Sequence, residues 1–431
     1  MEGIEISAAE FIRLLTKGGT PQNPKITQYV YEPGEIKHVK VTETIRISGR
    51  IFEHGIDIAD CDIQGLYIKD CIFEKGFNIQ RTSIKEKLDI DSSRIKGALT
   101  IGYIDDRICK LGSLRLYAVK IEDSIVISKV HIETDLTLFY LKVSQFASIN
   151  DSTIEGELWI SNVITSDLLQ IDDCSVGKLK ICSIADKMTV KVSETEFREL
   201  CFDGFTNNGY LQLINLMPKQ KSLIQIENSS MGKYELIHCN FSTTKMIIYG
   251  SRIIDVFYTD TKFPDRLNMP DGFSQDDARA HEVFRDGYNQ LKTIAQKQND
   301  RKMFLQYQAA ELSSYFKSIF LKEKPLTQIQ LIAMWLSNNY GTSWGRGVLF
   351  VSILNLFFLS LYFSNLHLDL TKTSIITFCA NYIDLLFLSL IKKPDFMIGN
   401  RGTIIFGVSR IFIAFGIYQT IAAFRKFGKS E

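Results

Sequence analysis

The sequence predicts a β-solenoid, wound as a right-handed β-helix, followed by an α-helical hairpin and an α-helical transmembrane domain. Three observations carry this expectation. An eleven-residue apolar register runs between about residues 45 and 265, the spacing turns helical after Pro264 and Pro270, and long uncharged runs are confined to the C-terminal stretch. Averages over the 431 residues conceal this layout, since 45% hydrophobic residues and a net charge of +1 look like an ordinary soluble chain. That length is more than one domain uses. Near-neutral charge argues against a nucleic-acid partner, which needs a basic face for phosphates. The opening MEGIEISAAEFIRLL has no basic segment before an apolar run, so it does not read as a secretory signal, and a cytosolic N-terminal part is expected.

The solenoid register is the most regular feature. Leu66, Phe77, Leu88 and Leu99 are eleven residues apart, and Ile68, Ile79, Ile90 and Ile101 follow two residues on. Phe73, Ile84 and Ile95 form a third register, and a small residue (Cys71, Thr82, Ser93) precedes each of these by two. Alternation of period two means short strands with one buried face. A strand this small buries that face only by stacking on the next turn, which also pairs its backbone edges. Later pairs such as Leu136/Leu138, Leu158/Ile160, Leu211/Leu213 and Met246/Ile248 extend the pattern. Breaks near 110–112, 203–210 and 218–221 are expected to be loops. Residues 1–44 are expected to be an N-terminal cap and 45–270 the solenoid.

At the level of architecture this region resembles the β-helical proteins of the pentapeptide-repeat kind, without their strict five-residue consensus. Pectate-lyase-like enzymes also wind a β-helix, and they need charged residues clustered on one ridge. Asp57, Asp89, Asp91, Asp151 and Asp172 are polar turn residues of the sort any solenoid carries, so no enzyme activity is expected. His38, His54, His131 and His238 have no partners in a ligand-like spacing. The eight cysteines lack CxxC or Cys/His spacing and mostly fall where a small apolar side chain is wanted. They read as reduced, packed thiols, with no metal site, no disulfide framework and no cofactor. The long stacked surface is free to take a protein or small-molecule ligand.

Residues 271–325 read as a helical hairpin. Ser274 with Asp276 and Asp277 is a helix start, and Val283, Phe284, Tyr288, Leu291 and Ile294 recur at helical spacing. A second helix carries Phe304, Tyr307, Leu312 and Tyr315. Residues 326–346 form an expected interfacial amphipathic helix, with Ile329, Ile332, Ala333 and Leu336 on one face and Trp335 beside it.

The domain 347–431 holds two runs that suit bilayer crossing: 348–363, which with its flanks to Leu366 reaches the ~20 residues required, and 403–424, interrupted by Arg410. Between them 374–391 is apolar but shorter and carries Asn381 and Asp384. Cations flank both outer ends, Arg346 before the first run and Arg425 and Lys426 after the last. The positive-inside rule puts both ends in the cytosol, which requires an even number of crossings. Two crossings with a re-entrant middle segment satisfy this; three crossings do not. Trp335, Trp344, Arg346, Arg425 and Lys426 are the expected interfacial anchors.

The order span, short helix, polar loop, span over 347–427 resembles the two-span pore-loop family of bacterial potassium-type channels. Residues 383–389, IDLLFLS, are similar to the acidic-then-aromatic start of its pore helix. The resemblance implies a homotetrameric pore in a bacterial-type plasma membrane. The chain departs from that family where the filter belongs. SLIKKPDFMIGN replaces a TVGYG-like run, so potassium selectivity is not implied. Candidate pore or loop residues are Asn381, Asp384, Ser389, Lys392, Lys393 and Arg410, with Asp384 the natural partner of Arg410. The functional expectation is an oligomeric membrane pore or ion channel with a cytosolic solenoid for assembly or sensing. The alternative is a membrane-anchored solenoid scaffold that binds a protein partner and conducts nothing.

Overall fold

The computed structural model describes residues 4–22, 30–102, 107–183, 187–253, 255–274, 277–319, 325–365, 375–386 and 399–427. The chain divides into two compact units, Met1–Asp271 and Gly272–Glu431.

The first unit is a β-solenoid of about ten turns over residues 35–259. One turn uses two of the eleven-residue repeats. Leu66 therefore pairs with Leu88, while Phe77 pairs with Leu99 in a different sheet. Two sheets, of twelve and eleven parallel strands, run the length of the coil, and six short strands form a third. Leu66, Ile68, Leu88 and Ile90 of one sheet, and Phe77, Ile79, Leu99 and Ile101 of the facing one, are all buried. Each such side chain contributes about 2 kcal/mol on leaving water, so the stack is the main source of stability. The third register splits: Phe73 pairs with Ile95 in the short sheet, whereas Ile84 pairs with Ile63 in the twelve-stranded one.

The corners explain the small residues. At one, Asp60, Arg81, Asp151, Asp173 and Glu194 take left-handed backbone conformations; at the other, Asp70, Ser92, Tyr140, Asn162 and Asn228 do. The next residue closes the corner. Ser152 Oγ donates to the Asn150 carbonyl at 2.7 Å and accepts the Val130 N–H of the preceding turn at 3.2 Å. Ser229 does the same with the Glu227 carbonyl (2.6 Å) and the Phe205 N–H (3.0 Å). Backbone groups that leave the strand ladder at the bend are thereby satisfied. Cys61 and Cys174 occupy equivalent positions, their thiols donating to the carbonyls of Ala59 and Asp172 at 3.2 Å.

Three boundaries differ from expectation. The solenoid begins inside the expected cap, because strands Glu35–Lys37 and Val39–Ser48 already pair with the next turn. The cap proper is the strand Ile4–Glu5 and helix α1 (Ala8–Lys17), started by Ser7 and burying Phe11, Leu14 and Leu15. Residues 110–112 are not a loop but part of the strand Cys109–Tyr117, with a register shift between Leu111 and Ser113. In 218–221 Pro218 still pairs with Phe197, and the strand Met217–Glu227 bulges from Lys219 until pairing resumes at Leu223 opposite Glu199. Parallel neighbours hold the strand on each side of the extra residues, so they are absorbed as bulges. The break at 203–210 is a turn through Gly204, as expected.

In the second unit α2 (Ala278–Lys297) and α3 (Arg301–Ile319) pack as a hairpin, clasped by Lys292 and Glu311 at 2.6 Å. The N-cap of α2 is Asp277 rather than Ser274. Its carboxylate accepts the Arg279 N–H at 2.8 Å. Four helices follow: α4 (Pro325–Asn338), α5 (Trp344–Asn365), α6 (Ile375–Leu386) and α7 (Gly399–Phe427).

Candidate functional site

Two of these helices are long and apolar enough to cross a membrane. In α5 the stretch Trp344–Phe363 has a mean hydropathy of 1.8, and in α7 Gly399–Arg425 has 1.7. Helix α6, at 12 residues, rises only about 18 Å at 1.5 Å per residue. That falls well short of a hydrocarbon core of about 30 Å.

Contacts fix the direction of α5 against α7. Gly347 meets Thr420, Val351 meets Gly416, and the rings of Phe358 and Phe412 lie 6.0 Å apart. Numbers rise along one helix as they fall along the other, so the pair is antiparallel. Glycine sets the closeness of the crossing. A β-carbon at Gly347 would stand 2.4 Å from Thr420 Oγ1. Small residues at such crossings are how apolar helices pack where water supplies no driving force. Val351, Phe358, Leu359, Tyr362, Phe363, Leu385 and Ile413 form the shared core.

Helix α6 runs back along α5. Phe378 stacks on Phe363 near the end of α5 (6.1 Å). Further along α6, the Tyr382 carbonyl accepts from Asn355 Nδ2 at 2.7 Å, and the Tyr382 hydroxyl donates to the Ser352 carbonyl at 3.5 Å. The last turn of α6 therefore lies level with the middle of α5. Helix α7 starts at Gly399, about 20 Å of helix before the level at which Phe412 meets Phe358. Asn355 is fully buried, and its Oδ1 has no hydrogen-bond partner among the described residues.

Several expected anchors come together at the other end of the pair. The Arg346 guanidinium lies 5.7 Å over the Trp335 ring, and Trp344 meets Phe424 edge-on at 6.3 Å. Asn338 ties α4 to α7, its Nδ2 donating to Gln419 Oε1 (2.9 Å) and to the Gln419 carbonyl (3.0 Å). Trp335, Trp344, Arg346 and Arg425 are exposed. Lys426 belongs to α7, with its side chain outside the described residues, as are Ser389, Lys392 and Lys393.

Of the other candidates, Asn381 is half-exposed and Asp384 exposed on α6. The guanidinium of Arg410 lies 4.5 Å over the Phe406 ring of its own helix. The expected Asp384–Arg410 pairing is not among the ion pairs of the described residues, Asp384 being turned to the exposed side of α6.

On the solenoid the aspartates singled out above do not share a ridge. Asp57 and Asp172 lie on the eleven-stranded sheet, Asp89 and Asp91 on the twelve-stranded one, and Asp151 at a corner. Arg115 holds Asp89 at 2.9 Å and Asp91 at 3.3 Å. The sequence reading missed a different alignment. Asp151, Asp173 and Glu194 occupy one corner on successive turns and line an open groove with Ser175, Glu196 and Met217. The signal was a polar residue before a small one, repeating every 21–22 positions. Lys219 reaches back over this column to Ser175 Oγ (2.8 Å) and Glu196 (3.4 Å). The Asp173 carboxyl is pushed above the usual range, first by its hydrogen bond with Asp151, then by burial and neighbouring charge. Burial pushes the thiols of Cys61 and Cys174 up to about 12 and that of Cys109 to about 11. Among the described residues no group of three or more His, Cys, Asp or Glu could hold a metal ion.

No known protein family, curated protein or solved structure matches the chain.

Proposed function

We propose that α5 and α7 cross a bilayer as an antiparallel pair, and that α6 enters between the end of α5 and the start of α7 and returns without crossing. Several copies then build a pore from these elements, with the solenoid as a cytosolic assembly or sensing domain. The observation that carries this reading is the course of α6. It runs back along α5 and ends level with Asn355, while α7 begins near the end from which α6 set out. Backbone that ends at mid-membrane is tolerated only against protein or water, as at an axis shared by several subunits.

Charge agrees with two crossings. The antiparallel pair returns to its starting side, which puts Arg346 and Arg425 together, in the cytosol by the positive-inside rule. The solenoid and the C-terminus lie on that side, in the plasma membrane of a bacterial-type cell. Helix α7 leaves most of its apolar window open, only 17% being buried within the chain, so it has surface for lipid and for further copies. Arg410, inside that window, favours a face turned to protein or a cavity over one turned to lipid. Without a glycine-rich filter in the sequence, potassium selectivity is not implied.

Recordings from the purified full chain in planar bilayers test the reading. Unitary conductance is expected. A chain that stays membrane-bound and is electrically silent at all voltages and salts sinks the pore. The anchored scaffold, favoured by the lack of any glycine over 387–398, then replaces it.

A further inference from the structure

Helix α4 has an apolar face that nothing in the described chain covers. Leu326, Ile329, Ile332 and Leu336 recur at three- and four-residue spacing on that face and are 40–81% exposed, with Trp335 at its border. The opposite side is fastened, by Leu331 packed with Ile319 and Tyr340, and by Asn338 bonded to Gln419. The face is thus held at the ends of α5 and α7 where Arg346 and Arg425 lie.

The charged residues of α4, α5 and α7 are all basic. No Asp or Glu occurs over 325–368 or over 396–430. Among the described residues neither Arg346 nor Arg425 forms an ion pair. Exposed guanidinium groups without local carboxylates, beside exposed indoles and an apolar helix face, match one kind of partner. That partner has phosphates above and hydrocarbon immediately below. Guanidinium binds phosphate oxygens through two N–H donors, and Trp favours the depth between headgroup and acyl chain.

We propose that α4, the start of α5 and the end of α7 form a collar that binds anionic phospholipid. Arg346 and Arg425 take the headgroup phosphates, and the exposed face of α4 lies among the first acyl carbons. This rests on the reading of α5 and α7 as spans and adds to it a lipid class and the residues that select it.

The test uses the full chain carrying Trp159→Phe, so that Trp335 and Trp344 alone of its three tryptophans report. It is reconstituted in phosphatidylcholine vesicles doped with either brominated phosphatidylcholine or brominated phosphatidylglycerol, the bromines close to the headgroup. Both lipids are expected to quench, with the phosphatidylglycerol preferred on the order of fivefold for each arginine near the leaflet. The Arg346→Gln, Arg425→Gln double variant is expected to lose the preference and keep the quenching. Equal quenching by the two lipids, or a preference that survives the double variant, overturns the collar. So does unquenched emission in both lipids, which would mean that protein covers α4. Extraction of the chain by alkaline carbonate would instead fail the spans themselves, a separate result.

Discussion

Gly416 of α7 lies so close to Val351 of α5 that a β-carbon on the glycine would stand 2.6 Å from Val351 Cγ2. Gly407, on the same helix, has nothing within 4 Å of that position. The pair gives a matched experiment. Gly416→Leu forces the helices apart at a cost of about 1–3 kcal/mol, and Gly407→Leu is expected to be neutral. Trp344→Cys with Phe424→Cys, where the two rings meet at 6.3 Å, reports the crossing through a short bifunctional maleimide that bridges the two thiols. Crosslinking should fall in the Gly416→Leu background alone; equal yields in both would mean that the helices do not meet there.

Asn355 holds α6 through the Tyr382 carbonyl. Asn355→Leu removes that donor, and a hydrogen bond between helices in lipid is worth about 1 kcal/mol. The expected outcome is faster hydrogen exchange in α6 with little change in α7. Unchanged exchange in α6 would assign its placement to Leu385 and Phe378 instead.

Asp173 predicts a pH dependence in the solenoid. Its carboxyl titrates higher in the folded chain than in the unfolded one, because it shares a hydrogen bond with Asp151 beside further negative charge. The folded state therefore binds the extra proton, and this site lowers stability as pH rises through the shifted value. Asp173→Asn should raise the melting temperature of the β signal near pH 7, and the gain should vanish below the usual aspartate range. A gain that is the same at both pH values would rule out the acidic column as its source.

The corner hydroxyls are structural. Ser229→Ala strips the Phe205 N–H of its acceptor and the Glu227 carbonyl of a donor, both in a buried corner. A loss of about 1–3 kcal/mol is expected. Cys61 sits in the equivalent place, its thiol bonded to Ala59 and held protonated by burial. Native maleimide treatment should leave it unmodified until the solenoid is unfolded. Rapid native labelling would show that the corner opens.

The spacing of Leu66, Phe77, Leu88 and Leu99 was enough to expect a solenoid, because strands this short, repeated in one strict register, bury their apolar face by stacking on the next turn. Which residues turn the corners was not legible. Residues as different as Asp60, Arg81, Ala118 and Tyr140 take the left-handed corner conformation, so no residue type marks the bend. The column of Asp151, Asp173 and Glu194 was hidden for the same reason, since it exists only once two repeats make one turn. In the helical unit, hydropathy located α5 and α7 to within a few residues. Their rotation was beyond it, because α5 is apolar on nearly every side and has no polar face to orient it. The Gly416–Val351 contact and the Asn355 bond depend on that rotation. Asp384 and Arg410 were joined by charge alone, and charge does not fix the face that either side chain takes.

In the proposed topology Arg346 of α5 and Arg425 of α7 lie on one side of the bilayer, and α6 re-enters from the other. Single cysteines at Gly345, Arg425 and Asn400, in a chain carrying Cys379→Ser, can be labelled in sealed oriented vesicles with a membrane-impermeant maleimide. The solenoid thiols are mostly buried, and a parent chain with only Cys379→Ser sets the background. Positions 345 and 425 are predicted to label from the same side and position 400 from the opposite side. Labelling of 345 and 425 from opposite sides would contradict the account by requiring an odd number of crossings, and labelling of all three from one side would contradict the spans.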